Sequence, residues 1–181
     1  MNGSDRLHII SGGPGSGKSA LISALRQCGY RTMPEAGRAI IQDQVGIGGT
    51  ALPWADRQHF AELMLGWELR SYHEALALEE TIFFDRGVPD IIGYLRVCGL
   101  DVPRHIVTAA ETFRYNRRVF MAPSWQEIFH EDEERKQSWA EAVATCEAMV
   151  STYGALGYTV VQLPLVSVAE RAAFVAGHVA G

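Results

Sequence analysis

The chain is short of lysine, with only Lys18 and Lys136 among its 181 residues, and short of any concentrated positive face. Sixteen basic residues stand against 21 acidic ones, for a formal net charge of −5, and outside the run Arg114-Tyr115-Asn116-Arg117-Arg118 the basic residues are scattered. Proteins that grip a duplex need clustered cationic side chains, so no nucleic-acid partner is expected. Cysteine is also sparse. Cys28, Cys98 and Cys146 are far apart and show neither CxxC nor Cys/His ligand spacing, which argues against a disulfide framework or a metal site and for a reduced, cytoplasmic protein. No apolar run approaches the roughly 18 residues that span a bilayer, so no membrane partner is expected. The N-terminus lacks the charged-then-apolar order of a signal peptide, so the mature chain is expected to start near Met1. Repeats, linkers and low-complexity tracts are absent, and the length suits one domain over residues 1–181.

What is present is an alternation of two periodicities. Short apolar, β-branched runs at Leu7–Ser11, Tyr30–Met33, Thr81–Asp85, Arg117–Ala122 and Tyr158–Leu163 read as buried strands. Between and after them lie helical patterns at Lys18–Cys28, Ala36–Val45, Trp54–Glu80 with a break at Gly66, Pro89–Cys98, Val102–Phe113, Glu133–Leu156 and Val168–Val179. The glycine-rich segment 46–53 reads as a mobile loop. Strands alternating with helices predict an α/β fold with a mainly parallel sheet.

Residues 12–19 spell Gly-Gly-Pro-Gly-Ser-Gly-Lys-Ser between the first strand and the first helix. The spacing matches a phosphate-binding loop. Backbone without Cβ atoms can turn its N–H groups around an anion, and the helix behind presents its positive end. Gly12, Gly13, Gly15, Ser16, Gly17, Lys18, Ser19 and Ala20 are the expected phosphate contacts. Lys18 would reach the β- and γ-phosphates and Ser19 would offer its hydroxyl to Mg²⁺. A magnesium ion between phosphates wants a carboxylate from a neighbouring strand end, and Asp85 closes the third strand. Arg86 beside it could hold an anionic substrate or the transferring phosphoryl group. Asp90 falls where a helix dipole alone would account for it. Glu35 follows the second strand, and strand ends of an open parallel sheet face one crevice, so Glu35 is the candidate to orient or deprotonate an acceptor hydroxyl. Residues 122–136 read as a lid, with Arg135 as the cation that arrives on closure. Arg114, Arg117 and Arg118 are weaker candidates, Asn116 is expected to turn the chain, and Trp125, Phe129 and Trp139 are expected to pack.

Taken together, "SGGPGSGKS", "PEAGR", "FFDRGVPDIIGYLRVCG", "YNRRVFMAPSW" with "EDEER", and the tail from Tyr153 to Val175 resemble the small P-loop proteins classed as AAA-type ATPases. They are similar to the ribosylnicotinamide kinase domain of the bacterial NAD-regulator protein and, more distantly, to deoxynucleoside and thymidylate kinases. The resemblance covers nearly the whole chain. It implies a three-layer P-loop fold with a five-stranded parallel sheet in which the strand ending at Asp85 lies beside the loop strand, a short lid, and ATP with Mg²⁺ as the nucleotide pair. It also implies that Glu35 serves the phosphate acceptor, that Arg135 neutralises the transferred group, and that the segment Pro164–Val168 holds adenine through its backbone. Residues 36–80 show no pattern that assigns an acceptor.

Three functions follow. The first is a phosphotransferase acting on a nucleoside-like or other small metabolite, in which Lys18, Glu35, Asp85, Arg86 and Arg135 carry catalysis. The second is an ATP-hydrolysing switch that signals to a protein partner. A GTPase version is disfavoured, because no NKxD occurs and Val88 stands where a D-x-x-G switch needs glycine. The third is an ATP-binding module without turnover.

Overall fold

Among the described residues five strands and seven helices follow one another: β1 (Leu7–Gly12), α1 (Lys18–Gln27), β2 (Arg31–Met33), α2 (Ala36–Ile47), α3 (Arg57–Leu76), β3 (Ile82–Asp85), α4 (Val88–Val97), α5 (Arg104–Thr112), β4 (Arg118–Ala122), α6 (Trp139–Ala155), β5 (Thr159–Gln162) and α7 (Val168–Val179). Short 3-10 turns precede β1 and follow β4. The computed structural model describes residues 3–129 and 138–179.

The strands form one parallel sheet in the order β2-β3-β1-β4-β5. β1 lies at the centre with all six residues buried, His8 and Ser11 included, which is why it reads as a largely apolar run with no solvent face. β2 and β5 are the edges and keep exposed residues.

Side chains alternate across the sheet. Leu7, Ile9, Ile82, Phe84, Val119 and Met121 pack against α3, α4, α5 and α6 on one face. Ile10, Phe83, Phe120 and Ala122 pack against α1 and α7 on the other. An outer cluster of Ile40, Ile41, Leu52 and Phe60 joins α2 to α3. Each large apolar side chain buried this way contributes about 1.5–3 kcal/mol before conformational entropy is subtracted.

Three boundaries differ from the pattern-based expectation. α3 runs through Gly66 without a break, because Gly66 sits on the exposed side while Ala61, Leu65, Tyr72 and Ala75 keep one buried stripe. The Asp56 side chain caps this helix by accepting from the His59 N–H, so it begins at Arg57 rather than Trp54. α6 begins at Trp139, where Ser138 and Glu141 form a reciprocal capping box. The segment expected to be mobile is tied down: the Gln44 side chain accepts from the Ala51 N–H, and Ala51 and Leu52 are buried.

Parallel strands bring all their carboxyl ends to one edge. β1, β2 and β3 therefore deliver the glycine loop, Glu35 and Asp85 to the same side of the molecule.

Candidate active site

The loop after β1 is shaped by close approach. A Cβ on Gly12 would lie 2.3 Å from the Ala122 carbonyl oxygen at the end of β4, and its φ of +141° is open only to glycine. Gly17 takes the left-handed conformation at φ +80° and hands the chain to α1, whose first residues are Lys18, Ser19 and Ala20. Ser16 is buried and its hydroxyl donates to the Gly13 carbonyl at 2.8 Å. The Lys18 ammonium, on a side chain that is itself buried, donates to the same carbonyl at 2.6 Å and to the Ser16 hydroxyl at 3.3 Å. Gly15 lies at the crown of the loop against the Phe129 ring. Ser19 and Ala20 are exposed at the mouth.

Asp85 ends β3 opposite Ile10 of β1. Because Phe83 faces α1 and α7, the alternation turns Asp85 to that side too, next to the start of α1. Its side chain is buried to 6% exposure, and its Oδ1 has no hydrogen-bond partner among the described residues. Burial and then the Glu35 carboxylate raise its pKa, against the pull of Lys18 and Arg86. A buried, unpaired carboxylate oxygen at the end of β3, together with an exposed serine hydroxyl in the first turn of α1, is the donor chemistry that a hard divalent cation takes. Among the described residues no group of three His, Cys, Asp or Glu side chains is arranged to hold a metal. An ion here would draw its remaining oxygens from phosphate and water.

Arg86 organises the centre. Alone among the described non-glycine residues it has a positive φ, +74°, a conformation that costs an L-residue about 1–2 kcal/mol. Hydrogen bonds offset that strain. Its N–H donates to the Ile10 carbonyl, its Nε to Glu35 Oε1 at 3.1 Å, and its Nη1 to the Gly12 carbonyl at 3.0 Å and Asp90 Oδ1 at 3.2 Å. Burial alone would lower its pKa, but Glu35, Asp90 and Asp85 outweigh it and hold the guanidinium protonated. Arg86 thus bridges Glu35 to the phosphate loop, rather than projecting freely into the crevice.

Asp90 does more than meet a helix dipole. Its Oδ1 accepts from the Ser11 hydroxyl as well as from Arg86, and its Oδ2 accepts from the Gly87 N–H and the Tyr153 hydroxyl. Burial and then the Asp90 carboxylate push the Tyr153 phenol well up, so it stays a donor.

Two further charged residues were not singled out by pattern. Arg171 of α7 is buried to 2% exposure. Its Nη1 donates to the Ser16 carbonyl at 2.9 Å, its Nε donates to the Pro164 carbonyl at 2.8 Å, and its guanidinium lies 4.9 Å from the centre of the Trp125 ring. It ties the phosphate loop to the segment after β5. Glu68 of α3 is buried to 4% among the same carboxylates. Both stand on apolar stripes, Val168-Arg171-Ala172-Val175 and Leu65-Glu68-Tyr72-Ala75, and a charge on such a stripe is the signal that would have found them.

Other candidates fall elsewhere. Arg114 stacks on Tyr158 and donates to the Leu156 carbonyl, and Arg118 opens β4, so both lie toward the amino ends of the strands, away from the loop. Asn116 turns the chain as expected, donating to the Asp5 carbonyl and accepting from the Arg118 N–H. Phe129 and Trp139 pack edge to face. Arg135 and residues 130–136 of the expected lid lie outside the described residues.

Residues 7–171 match a family model described as an AAA domain. The chain belongs to the AAA domain family. Among solved structures, this AAA domain superposes on deoxyadenosine kinase from M. mycoides with bound dATP at a TM-score of 0.68 and 13% identity, covering 97% of this chain and 99% of that one. It superposes equally well, at 0.68 and 15% identity, on the NadR protein in complex with NR, covering 97% of this chain and 51% of NadR. With shikimate kinase from Acinetobacter baumannii in complex with shikimate the TM-score is 0.56 at 11% identity, over 96% and 92% of the two chains. At such identities the likeness is one of fold, the P-loop kinase fold with helices on both faces of a five-stranded parallel sheet. A search of curated proteins finds no match.

Proposed function

We propose that this AAA domain is an ATP-dependent kinase that moves the γ-phosphoryl group of Mg-ATP to a hydroxyl of a nucleoside-like or other small metabolite. The observation that carries the reading is the Arg86 bridge. One guanidinium spans Glu35 Oε1 and the Gly12 carbonyl, which sets an acceptor-side carboxylate and the phosphate loop in one rigid frame. A carboxylate held there could orient an acceptor hydroxyl as a general base. The fold neighbours, which include kinases of a nucleoside and of shikimate, support the same reading.

The loop N–H groups and the start of α1 would receive the phosphate chain, and Lys18 would leave the Gly13 carbonyl for the β- and γ-phosphates. Ser19 and Asp85 would hold Mg²⁺, which when bound neutralises charge on the phosphate oxygens. Glu35 accepts the hydrogen bond of the acceptor hydroxyl and aims its oxygen at Pγ. As the new O–Pγ bond forms, the bond from Pγ to the bridging oxygen breaks, its electron pair leaves on ADP, and the hydroxyl proton passes to the Glu35 carboxylate. Arg86 is the positioning residue for Glu35. Arg135 would arrive with the lid, shield the transferred group and exclude water.

The test is ADP release from Mg-ATP across a panel of hydroxyl-bearing metabolites and nucleosides, for the parent and for Glu35→Gln. An acceptor should stimulate release at least tenfold, and Glu35→Gln should abolish most of that stimulation by lowering kcat by about 10²-fold. Slow hydrolysis indifferent to every acceptor would refute transfer and favour a regulatory ATPase.

A further inference from the structure

Tyr153 reaches the floor of the crevice from α6. Its side chain is fully buried, and its hydroxyl donates to Asp90 Oδ2. Asp90 in turn accepts from the Ser11 hydroxyl near the end of β1 and from Arg86 Nη1 at 3.2 Å. The same guanidinium donates to the Gly12 carbonyl at 3.0 Å and, through Nε, to Glu35 Oε1 at 3.1 Å. One chain of hydrogen bonds thus runs from α6 to the phosphate loop and to Glu35 together. α6 also touches the loop directly: a Cβ on Gly13 would lie 2.4 Å from the Ala142 carbonyl oxygen. Ala142 and Tyr153 stand on one helix, about 16 Å apart at 1.5 Å of rise per residue.

The α4–α6 contact does not need this network to hold. Val88, Ile91, Ile92, Leu95, Cys146 and Met149 belong to one apolar cluster, and a Cβ on Gly93 would meet Met149 Sδ at 2.5 Å. A carboxylate buried in such a contact carries a desolvation cost that apolar side chains of the same volume avoid. The backbone is strained at the same place, with Arg86 held at φ +74° although glycine stands next to it. Such outliers persist where a side chain is needed in one position. At the far end of the chain of bonds, Glu35 occupies the N-cap of α2, yet its side chain makes no cap hydrogen bond.

Resting on the kinase reading for what Glu35 does, we propose that Tyr153 is a positioning residue for phosphoryl transfer: through Asp90 and Arg86 it fixes Glu35 relative to the phosphate loop, with α6 as the common support of both. The frame matters only when two substrates must be aligned. Without the phenol, Asp90 still accepts from Ser11, Gly87 and Arg86, so the loop that receives Mg-ATP keeps its anchors. Transfer is more demanding, because a displacement of about 1 Å between reacting groups costs on the order of 10²-fold in rate.

The experiment uses the full chain as parent, Tyr153→Phe, Glu35→Gln, the double variant and Met149→Ala. Deoxyadenosine, ribosylnicotinamide and shikimate are the hydroxyl probes. ADP release with Mg-ATP gives kcat and the two KM values, and calorimetry gives the Mg-ATP affinity. With the probe that stimulates the parent most, Tyr153→Phe should lower kcat about tenfold and leave both the KM and the calorimetric Kd of Mg-ATP within about twofold. In the Glu35→Gln background the same substitution should change kcat by less than about twofold, since residues that act as one unit give non-additive losses. Met149→Ala loosens the same helix contact without touching Asp90. It should lower the melting temperature at least as far as Tyr153→Phe does, with kcat within about twofold of the parent.

Stimulation of the parent with unchanged kcat in Tyr153→Phe, or with equal losses in both backgrounds, would overturn the positioning role and leave the kinase reading standing. A matching fall of kcat in Met149→Ala would overturn it as well, by showing that any loosening of α6 suffices. So would a tenfold loss of Mg-ATP affinity in Tyr153→Phe, which would place the effect on nucleotide binding. If no hydroxyl compound stimulates the parent, the kinase reading falls and the positioning role falls with it.

Discussion

Replacing Asp90 by asparagine changes one atom and should cost the fold about 3–5 kcal/mol. The carboxylate accepts from four donors: Ser11 and Arg86 at Oδ1, and Gly87 N–H and Tyr153 at Oδ2. Two of these, the hydroxyls, can reverse their sense. The other two can only donate. An asparagine oxygen placed at the Oδ2 position keeps Gly87 and Tyr153, and the Ser11 hydroxyl can turn to accept from the NH₂, but the Arg86 guanidinium then meets that NH₂ donor to donor. The loss is one charge-assisted bond, about 1.5–3 kcal/mol, plus a buried guanidinium N–H left unpaired at about 1–3 kcal/mol. The opposite flip keeps Ser11 and Arg86 but orphans the Gly87 N–H that caps α4, and is no better. For a chain of this length each kcal/mol lowers the melting temperature by roughly 2–4 °C, so Asp90→Asn should melt on the order of 10 °C below the parent, with an unchanged urea m-value. Tyr153→Phe loses one donor only and should cost about 1–2 kcal/mol. Urea unfolding of the two variants measures both. A loss below 1 kcal/mol for Asp90→Asn, or a larger loss for Tyr153→Phe than for Asp90→Asn, would refute the assignment of Asp90 as the hub that holds Arg86.

Two other perturbations have clear signs. His8, buried on β1 between Phe83 and Phe120, has its pKa lowered from 6.5 to about 4 by burial and then by Arg118. The unfolded chain therefore takes up a proton that the fold refuses, stability falls as pH drops from 6.5 toward 4, and the full difference is worth about 3 kcal/mol. His8→Phe should flatten that fall between pH 7.5 and 4.5, and superimposable pH profiles of melting temperature would count against it. Arg171→Met keeps the volume but unpairs the Ser16 and Pro164 carbonyls, which should cost about 2–4 kcal/mol of stability. It should also weaken Mg-ATP binding about tenfold by calorimetry, and affinity within twofold of the parent would show that the tie does not position the loop.

The parts of the fold that were legible in the sequence are those whose cause is local. β1 and β3 are buried on both faces, so each is a run of apolar side chains that needs no partner to be recognised. The glycine loop is equally local, because its turns demand positive φ at fixed offsets and glycine alone supplies them cheaply. Helix ends were less legible where the deciding group is a side chain several residues away. The α6 start depends on Ser138 and Glu141 finding each other, and the continuity of α3 depends on which side of the helix carries Gly66. The place of β3 beside β1, by contrast, is a matter of topology that no residue in either strand announces; it came from resemblance alone.

The candidate site divides along the same line. Lys18, Ser19, Asp85 and Glu35 could be named because each sits at the end of a strand or the start of a helix, and parallel topology then obliges them to share an edge. What could not be read was how their charges are reconciled. Arg86 looked like a ligand for an anion, yet three of its guanidinium contacts are spent on Glu35, Gly12 and Asp90, and Asp90 in turn reaches Tyr153, 63 residues away. The result is a crevice whose obvious cation is already neutralised from within. A sequence pattern can say that acids and arginines converge at one edge. Only the pairing says how their charges are met, and here Glu35 and Asp90 meet Arg86.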